Sequence, residues 1–107
     1  MTQLTPQEVA QRLASPEPPV MLDVREPEEH AFVALPGSRL VPLAELPARV
    51  DELEDWRERD VVVYCHHGIR SQHAIAALTE AGFTRLFNLR GGIDRWSIEV
   101  DPQLPRY

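Results

Sequence analysis

Val61-Val62-Val63-Tyr64 constrains the fold of this chain more than any other stretch. Four consecutive apolar residues, three of them β-branched, make a strand with no polar face. Such a strand needs cover on both sides, which is the situation of a central parallel strand between two layers of helices. Val20-Met21-Leu22-Asp23-Val24 is a second short apolar run, and Arg85-Leu86-Phe87-Asn88-Leu89 reads as a third strand. Helical patterns fall between them, so the chain predicts a three-layer α/β fold with a mainly parallel central sheet.

The local punctuation supports this alternation. Thr5 as N-cap, Pro6 at the first helical position and Glu8 in a capping box start a helix that carries Val9 and Leu13 inward. Leu4 and Val9 are spaced as a hydrophobic staple. Ser15-Pro16-Glu17-Pro18-Pro19 ends that helix in a loop. Pro27 opens one or two helical turns over Glu28 to Phe32, Leu35-Pro36-Gly37 is a turn, and Ser38 to Val41 a short strand. Pro42 to Leu46 and Pro47 to Trp56 read as two helical pieces separated by proline, with Val50, Leu53 and Trp56 on one apolar stripe. A helix from Ser71 to Ala81 places Ile75 and Leu78 at core spacing and stops at Gly82. Gly91 to Trp96 turns into a last short helix, and the tail from Val100 lies along the surface.

Composition narrows the function classes. At 107 residues the chain is expected to form one domain, residues 1–107. A formal net charge of −6, with acids spread throughout, argues against nucleic acid or an anionic membrane as partner. No run is long enough to span a bilayer and no signal-peptide pattern opens the chain, so a cytoplasmic location is expected. The single cysteine cannot form an internal disulfide, which agrees with a reducing compartment. The few aromatic residues mark no interface patch in the sequence, and nothing calls for a cofactor.

That cysteine, Cys65, directly follows the apolar strand and precedes His66-His67-Gly68-Ile69-Arg70-Ser71. A strand ending at a thiol, a short glycine-containing loop and a helix start can aim peptide N–H groups at the sulfur. The helix dipole adds positive potential, so such a bowl favours a thiolate. Gly68 can take positive φ and let the loop curl, Ser71 suits the N-cap position, and Arg70 can reach over the bowl as a cation. The alternative is a small buried side chain without chemistry. Because ligands in such sheets sit outside the carboxyl ends of the strands, Asp23 and Arg25 share a rim with Cys65. They either brace its loop or form a local ion-pair cluster with Glu26, Glu28 and Glu29.

Four segments together resemble the single-domain rhodaneses, a family of sulfurtransferases. They are Leu22-Asp23-Val24-Arg25-Glu26-Pro27-Glu28-Glu29, the Pro36-Gly37-Ser38 turn, the loop Cys65 to Ser71, and Asn88-Leu89-x-Gly91-Gly92-Ile93-x-x-Trp96. The resemblance implies a five-stranded parallel sheet flanked by helices and a cysteine that cycles between thiolate and persulfide. It implies that Cys65 takes sulfane sulfur from a small anionic donor such as thiosulfate, with the loop residues His66, His67, Gly68, Ile69 and Arg70 cradling the cargo. The acceptor would be cyanide, a thiol or a sulfur-carrier protein. Asp23, Arg25 and Ser71 would support the loop. His66 and His67 either tune the rim or are two exposed loop residues. The tail Glu99-Val100-Asp101-Pro102 further resembles rhodanese domains fused to adenylyltransferases, which implies a partner-dependent relay for cofactor or tRNA thiolation as the alternative. In one place the chain departs from the pattern: Val33-Ala34-Leu35 stands where a Gly-His-Ile segment often precedes the Pro-Gly turn.

Three rival chemistries fit less well. Cysteine phosphatases and arsenate reductases resemble Cys-x5-Arg, whereas four residues separate Cys65 from Arg70 here, a loop better suited to sulfur than to phosphate. A metal site from Cys65, His66 and His67 requires adjacent residues to converge, and His30 and His73 lack ligand spacing, so no metal is expected. A non-catalytic binding module would not require the loop cysteine.

Overall fold

The computed structural model describes residues 2–107. Its order is β1 (Thr2–Leu4), α1 (Pro6–Leu13), β2 (Val20–Asp23), α2 (Pro27–Phe32), β3 (Arg39–Leu40), α3 (Leu46–Arg49), β4 (Val61–Tyr64), α4 (Arg70–Glu80), β5 (Leu86–Leu89) and α5 (Gly92–Glu99). Two 3₁₀ segments, Leu43–Glu45 and Val50–Trp56, flank α3. The five strands form one sheet in the order β1-β5-β4-β2-β3, with every pairing parallel. The three-layer, five-stranded arrangement expected from the sequence is the one observed.

Strand β4 lies between β5 and β2 and is buried along its whole length. Its alternation divides the core. Val61 and Val63 join Leu22, Leu46, Leu53, Trp56, Ala74, Ile75 and Leu78 on one face, while Val62 and Tyr64 join Val9, Met21, Leu89, Ile93 and Trp96 on the other. β2 and β5 pair its two peptide edges, and the two clusters cover its side-chain faces.

Helix α1 starts as expected: Glu8 N–H donates to Thr5 Oγ1 at 3.2 Å, and Thr5 N–H to Glu8 Oε1 at 2.8 Å. Leu4 and Val9 share one buried cluster, so the staple forms. Four local expectations are corrected. Thr2–Leu4, read only as the approach to α1, pairs with β5 as an edge strand whose first two side chains are exposed. The strand expected over 38–41 shortens to Arg39–Leu40. The two helical pieces expected over 42–56 are three, and Pro47 lies inside the first turn of α3 rather than between elements. The spacing of Val50, Leu53 and Trp56 by threes is the period of the 3₁₀ helix, and the backbone adopts that form. Finally, α4 begins at Arg70 with Ile69 as N-cap, so Ser71 sits inside the helix and its hydroxyl is free for another task.

The tail also departs from a simple surface path. Val100 and Leu104 pack against the second core cluster, and the chain then returns to the rim where β4 ends.

Candidate active site

Cys65 leaves the carboxyl end of β4 with 1% of its surface exposed. Its sulfur accepts the N–H of Gly68 at 3.0 Å and of Ser71 at 3.4 Å, and its S–H donates to Ser71 Oγ at 3.5 Å. Gly68 turns the loop at φ +102°, a region closed to ordinary side chains. Ser71 N–H is one of the free donors of the first turn of α4, so helix geometry aims it at the sulfur. Of the two N–H groups that reach Sγ, Gly68 lies within the expected cradle of residues 66 to 70 and Ser71 one residue beyond it.

The loop is held from below by the residues that follow β5. Ile93 N–H donates to Cys65 O at 2.9 Å and Asp94 N–H to His66 O at 3.1 Å. The N-terminus of α5 thus caps the carbonyls of the cysteine loop. This approach requires glycine: a Cβ on Gly92 would lie 2.3 Å from His66 O and 2.5 Å from Cys65 O. Ser71 Oγ donates to Asn88 Oδ1, and Asn88 Nδ2 donates to Gln3 Oε1 at 2.8 Å and Gly68 O at 3.4 Å. With its proton committed to Asn88, Ser71 faces the thiol as an acceptor. Asn88 was not expected as a site residue; its signal was a lone polar side chain within the strand Leu86-Phe87-Asn88-Leu89, where it is 1% exposed.

Asp23 and Arg25 are fully buried at the end of β2. Arg25 Nε and Nη2 fork the Asp23 carboxylate at 2.9 and 2.7 Å, and Nη2 also donates to Val33 O at 2.7 Å. Asp23 Oδ2 accepts further from Tyr64 O–H at 3.1 Å and His30 Nδ1 at 2.8 Å. Burial, then the Asp23 charge, pushes the Tyr64 hydroxyl up to about 12. The pair therefore ties β2 to β4 and to the segment 33–35, and does not touch the cysteine loop directly. His30, not a residue at 33–35, is the histidine that reaches this network.

Arg70 does not stand free over the bowl. Its Nη1 and Nη2 fork Glu29 at 2.6 and 2.9 Å. Glu29 is at the third position of α2, where its Oε1 also accepts Glu26 N–H at 2.9 Å, and Tyr107 O–H donates to its Oε2 at 2.6 Å. Four donors occupy the two oxygens, which fills their capacity. The Arg70 bonds above all hold the Glu29 carboxyl down at about 2. Tyr107 Oη accepts from Arg25 Nη1 at 2.8 Å, so a residue 82 positions away from Arg25 joins both charge pairs. Burial and Glu29 push its hydroxyl up to about 12.

The two histidines lie together. The His66 ring is sandwiched between Tyr107, parallel within 8° at 3.9 Å, and His67 at 3.9 Å. Burial, then the neighbouring His67, lowers the His66 pKa below its ordinary value. His67 is exposed, with Nε2 3.7 Å from Asp94, which Arg106 binds at 2.9 and 3.3 Å. His66, His67 and Asp94 each bring one ligand atom within 4.8 Å of the others. This set excludes Cys65, and its carboxylate is already held by Arg106. Ile69 projects from the loop with 64% of its surface exposed.

The rhodanese-like domain model matches residues 5–99. The chain belongs to the rhodanese-like domain family. A sulfurtransferase of Allochromatium vinosum is 37% identical over 97 residues, covering 91% of this chain and 89% of that protein. The probable adenylyltransferase/sulfurtransferase MoeZ of Mycobacterium tuberculosis is 33% identical over 104 residues, 97% of this chain but only 26% of MoeZ. Among solved structures, a thiosulfate sulfurtransferase of Pseudomonas aeruginosa superposes with a TM-score of 0.84 at 32% identity, over 99% of this chain and 20% of that one. These relatives place the rhodanese-like domain described here among sulfurtransferases. No helix among its described residues is long and apolar enough to cross a membrane.

Proposed function

We propose that this rhodanese-like domain transfers sulfane sulfur through a persulfide on Cys65. The observation that carries this reading is a buried sulfur at the end of β4 receiving the N–H groups of Gly68 and Ser71. The Cys65 thiolate attacks the outer sulfur of thiosulfate, an S–S bond forms to Sγ, and sulfite leaves with the bonding pair of the broken bond. The persulfide carries a negative charge, and N–H donors together with the start of α4 are the groups suited to stabilise it. Cyanide then attacks the outer sulfur, thiocyanate leaves, and the electron pair returns to Sγ. Each half-reaction is a separate displacement, as in ping-pong covalent catalysis.

Asn88 and Ser71 position the loop beneath the sulfur, Gly92 admits α5 against it, and the Asp23–Arg25 fork holds the neighbouring strand end. His66, whose pKa burial lowers, contributes a flat wall to the rim. The deciding experiment is intact mass after incubation with thiosulfate and again after cyanide. A gain of one sulfur on Cys65, removed by cyanide as thiocyanate, supports the cycle; a persulfide on no residue from any sulfane donor overturns it.

One observation favours a partner-dependent relay over turnover of small donors. Glu29 occupies the guanidinium of Arg70, so a dianionic donor has to compete for it. A protein donor or acceptor, recognised over a wider surface, has no such need.

A further inference from the structure

Among the described residues, one buried side-chain nitrogen or oxygen has no hydrogen-bond partner: His66 Nε2. A buried polar atom left unpaired calls for a physical reason, and a bound ion is one. Both faces of this ring are covered, by Tyr107 and by His67, so only its edge is open to chemistry. Asp94, the third residue of α5, is fixed beside it, because its N–H donates to His66 O at 3.1 Å. His66, His67 and Asp94 each bring a ligand atom within 4.8 Å of the other two, and His67 Nε2 is already 3.7 Å from Asp94 Oδ2. Neighbouring ligands on a tetrahedral zinc ion stand about 3.4 Å apart, so small side-chain rotations close the set. The two rings are tilted by 33°, and the exposed His67 can turn its lone pair toward the ion.

The Asp94 carboxylate is divided between its neighbours. Oδ1 accepts Arg106 Nε at 2.9 Å, whereas Oδ2 has a longer contact of 3.3 Å with Nη2 and faces His67. Oδ2 can therefore turn to an ion while Arg106 keeps Oδ1, as the outer hydrogen-bond partner that ligating carboxylates usually have. We propose that His66, His67 and Asp94 bind a divalent transition-metal ion of the zinc class beside the cysteine loop. Two imidazoles and one carboxylate suit zinc and its neighbours in the series; calcium and magnesium take oxygen ligands. Three protein ligands leave one position open to water or a small anion. The donor set is not Cys65, His66 and His67, against which the sequence argued: α5 supplies Asp94 in place of the thiol, and the two adjacent histidines do lie together. An ion joining these side chains adds a second clamp between α5 and the residue that follows Cys65. The proposal does not depend on the persulfide chemistry.

The test uses the full chain without an affinity tag, carrying Cys65→Ser so that no thiol competes for the ion. Zinc chloride is titrated in competition with a chromophoric chelator. One Zn²⁺ per chain is expected, with a Kd of about 10 μM or tighter. His67→Ala and Asp94→Asn, each added to that protein, are expected to weaken binding at least about tenfold. His73→Ala, at an exposed histidine on α4 away from the set, is expected to leave it unchanged. Zn²⁺ is also expected to shift the ring resonances of His66 and His67 and not those of His30 and His73. No saturable uptake up to about 1 mM overturns the proposal. So does a loss from His73→Ala equal to that from His67→Ala, or binding that Asp94→Asn leaves unchanged. If a variant fails to fold, as read by circular dichroism, the resonances of the Cys65→Ser protein decide alone: shifts confined to His30 or His73 overturn the site.

Discussion

Replacing Glu29 by glutamine tests whether the rim is governed by its carboxylate. A carboxyl held at about 2 rather than 4.5 corresponds to roughly 3 kcal/mol of preference for the charged form in the folded state. Arg70 is 36% exposed, so water screens the pair, and a loss of about 1–2 kcal/mol on Glu29→Gln is the realistic figure. The sign follows from the direction of the shift. A carboxyl depressed by folding contributes fully above its ordinary value of 4.5, and the contribution disappears as pH falls toward 2. Urea unfolding of both proteins at neutral pH and at about pH 3 reads this directly: the stability gap is expected to shrink by more than half at the acid end. In the same variant Arg70 loses its counter-charge, so loading from thiosulfate is expected to improve, with a lower KM and a stronger dependence on salt. A gap that is absent at neutral pH, or that does not close in acid, refutes the assignment of the shift to this pair. Unchanged thiosulfate kinetics would show that Arg70 is not part of the donor site.

Further outcomes follow from single atoms at the site. Cys65→Ser and Cys65→Ala are expected to abolish thiocyanate formation while leaving the far-ultraviolet circular dichroism of the fold intact; activity in either one removes the persulfide mechanism. Gly92→Ala puts a Cβ 2.3 Å from His66 O at φ +65°, so a loss of about 3 kcal/mol in chemical unfolding and slow sulfur loading are expected. Asn88→Leu leaves the buried Ser71 hydroxyl and Gln3 amide without this partner, for an expected cost of about 1–3 kcal/mol. Asn88→Asp keeps an acceptor for Ser71 but turns a buried carboxylate oxygen toward Gln3 Oε1 and Gly68 O, so it is expected to cost at least as much in the same melt.

The central strands were legible because their sequence leaves one choice: a run such as Val61 to Tyr64 has nowhere to sit but the middle of a covered parallel sheet. Helix α1 was legible because Thr5, Pro6 and Glu8 settle it within one turn. What escaped depends on partners distant in sequence. Ser71 looks like an N-cap by residue type, yet its hydroxyl is taken by Asn88 on the neighbouring strand, and Ile69 is left at the helix entry. β1 offers two exposed polar residues and gains its strand geometry only from pairing with β5. Arg70 reads as a free cation until α2 brings Glu29 beside it.

Tyr107 shows most clearly why the rim could not be read in advance. Nothing in Pro105-Arg106-Tyr107 marks a functional residue, since a tyrosine after proline and arginine suits any surface tail. Its meaning comes from three placements made elsewhere: Arg25 at the end of β2, Glu29 fixed at the third position of α2, and His66 where the cysteine loop turns outward. Each of the three is set by its own local rule, and the tail joins them only once the sheet has aligned the strand ends. The geometry around Cys65 therefore belongs to one strand–loop–helix unit, whereas the aromatic rim beside it belongs to the whole fold. That division predicts where substitutions act: changes in residues 65–71 are expected to alter sulfur loading on Cys65, and changes in Tyr107 the packing of the rim, read by mass after thiosulfate and by urea unfolding.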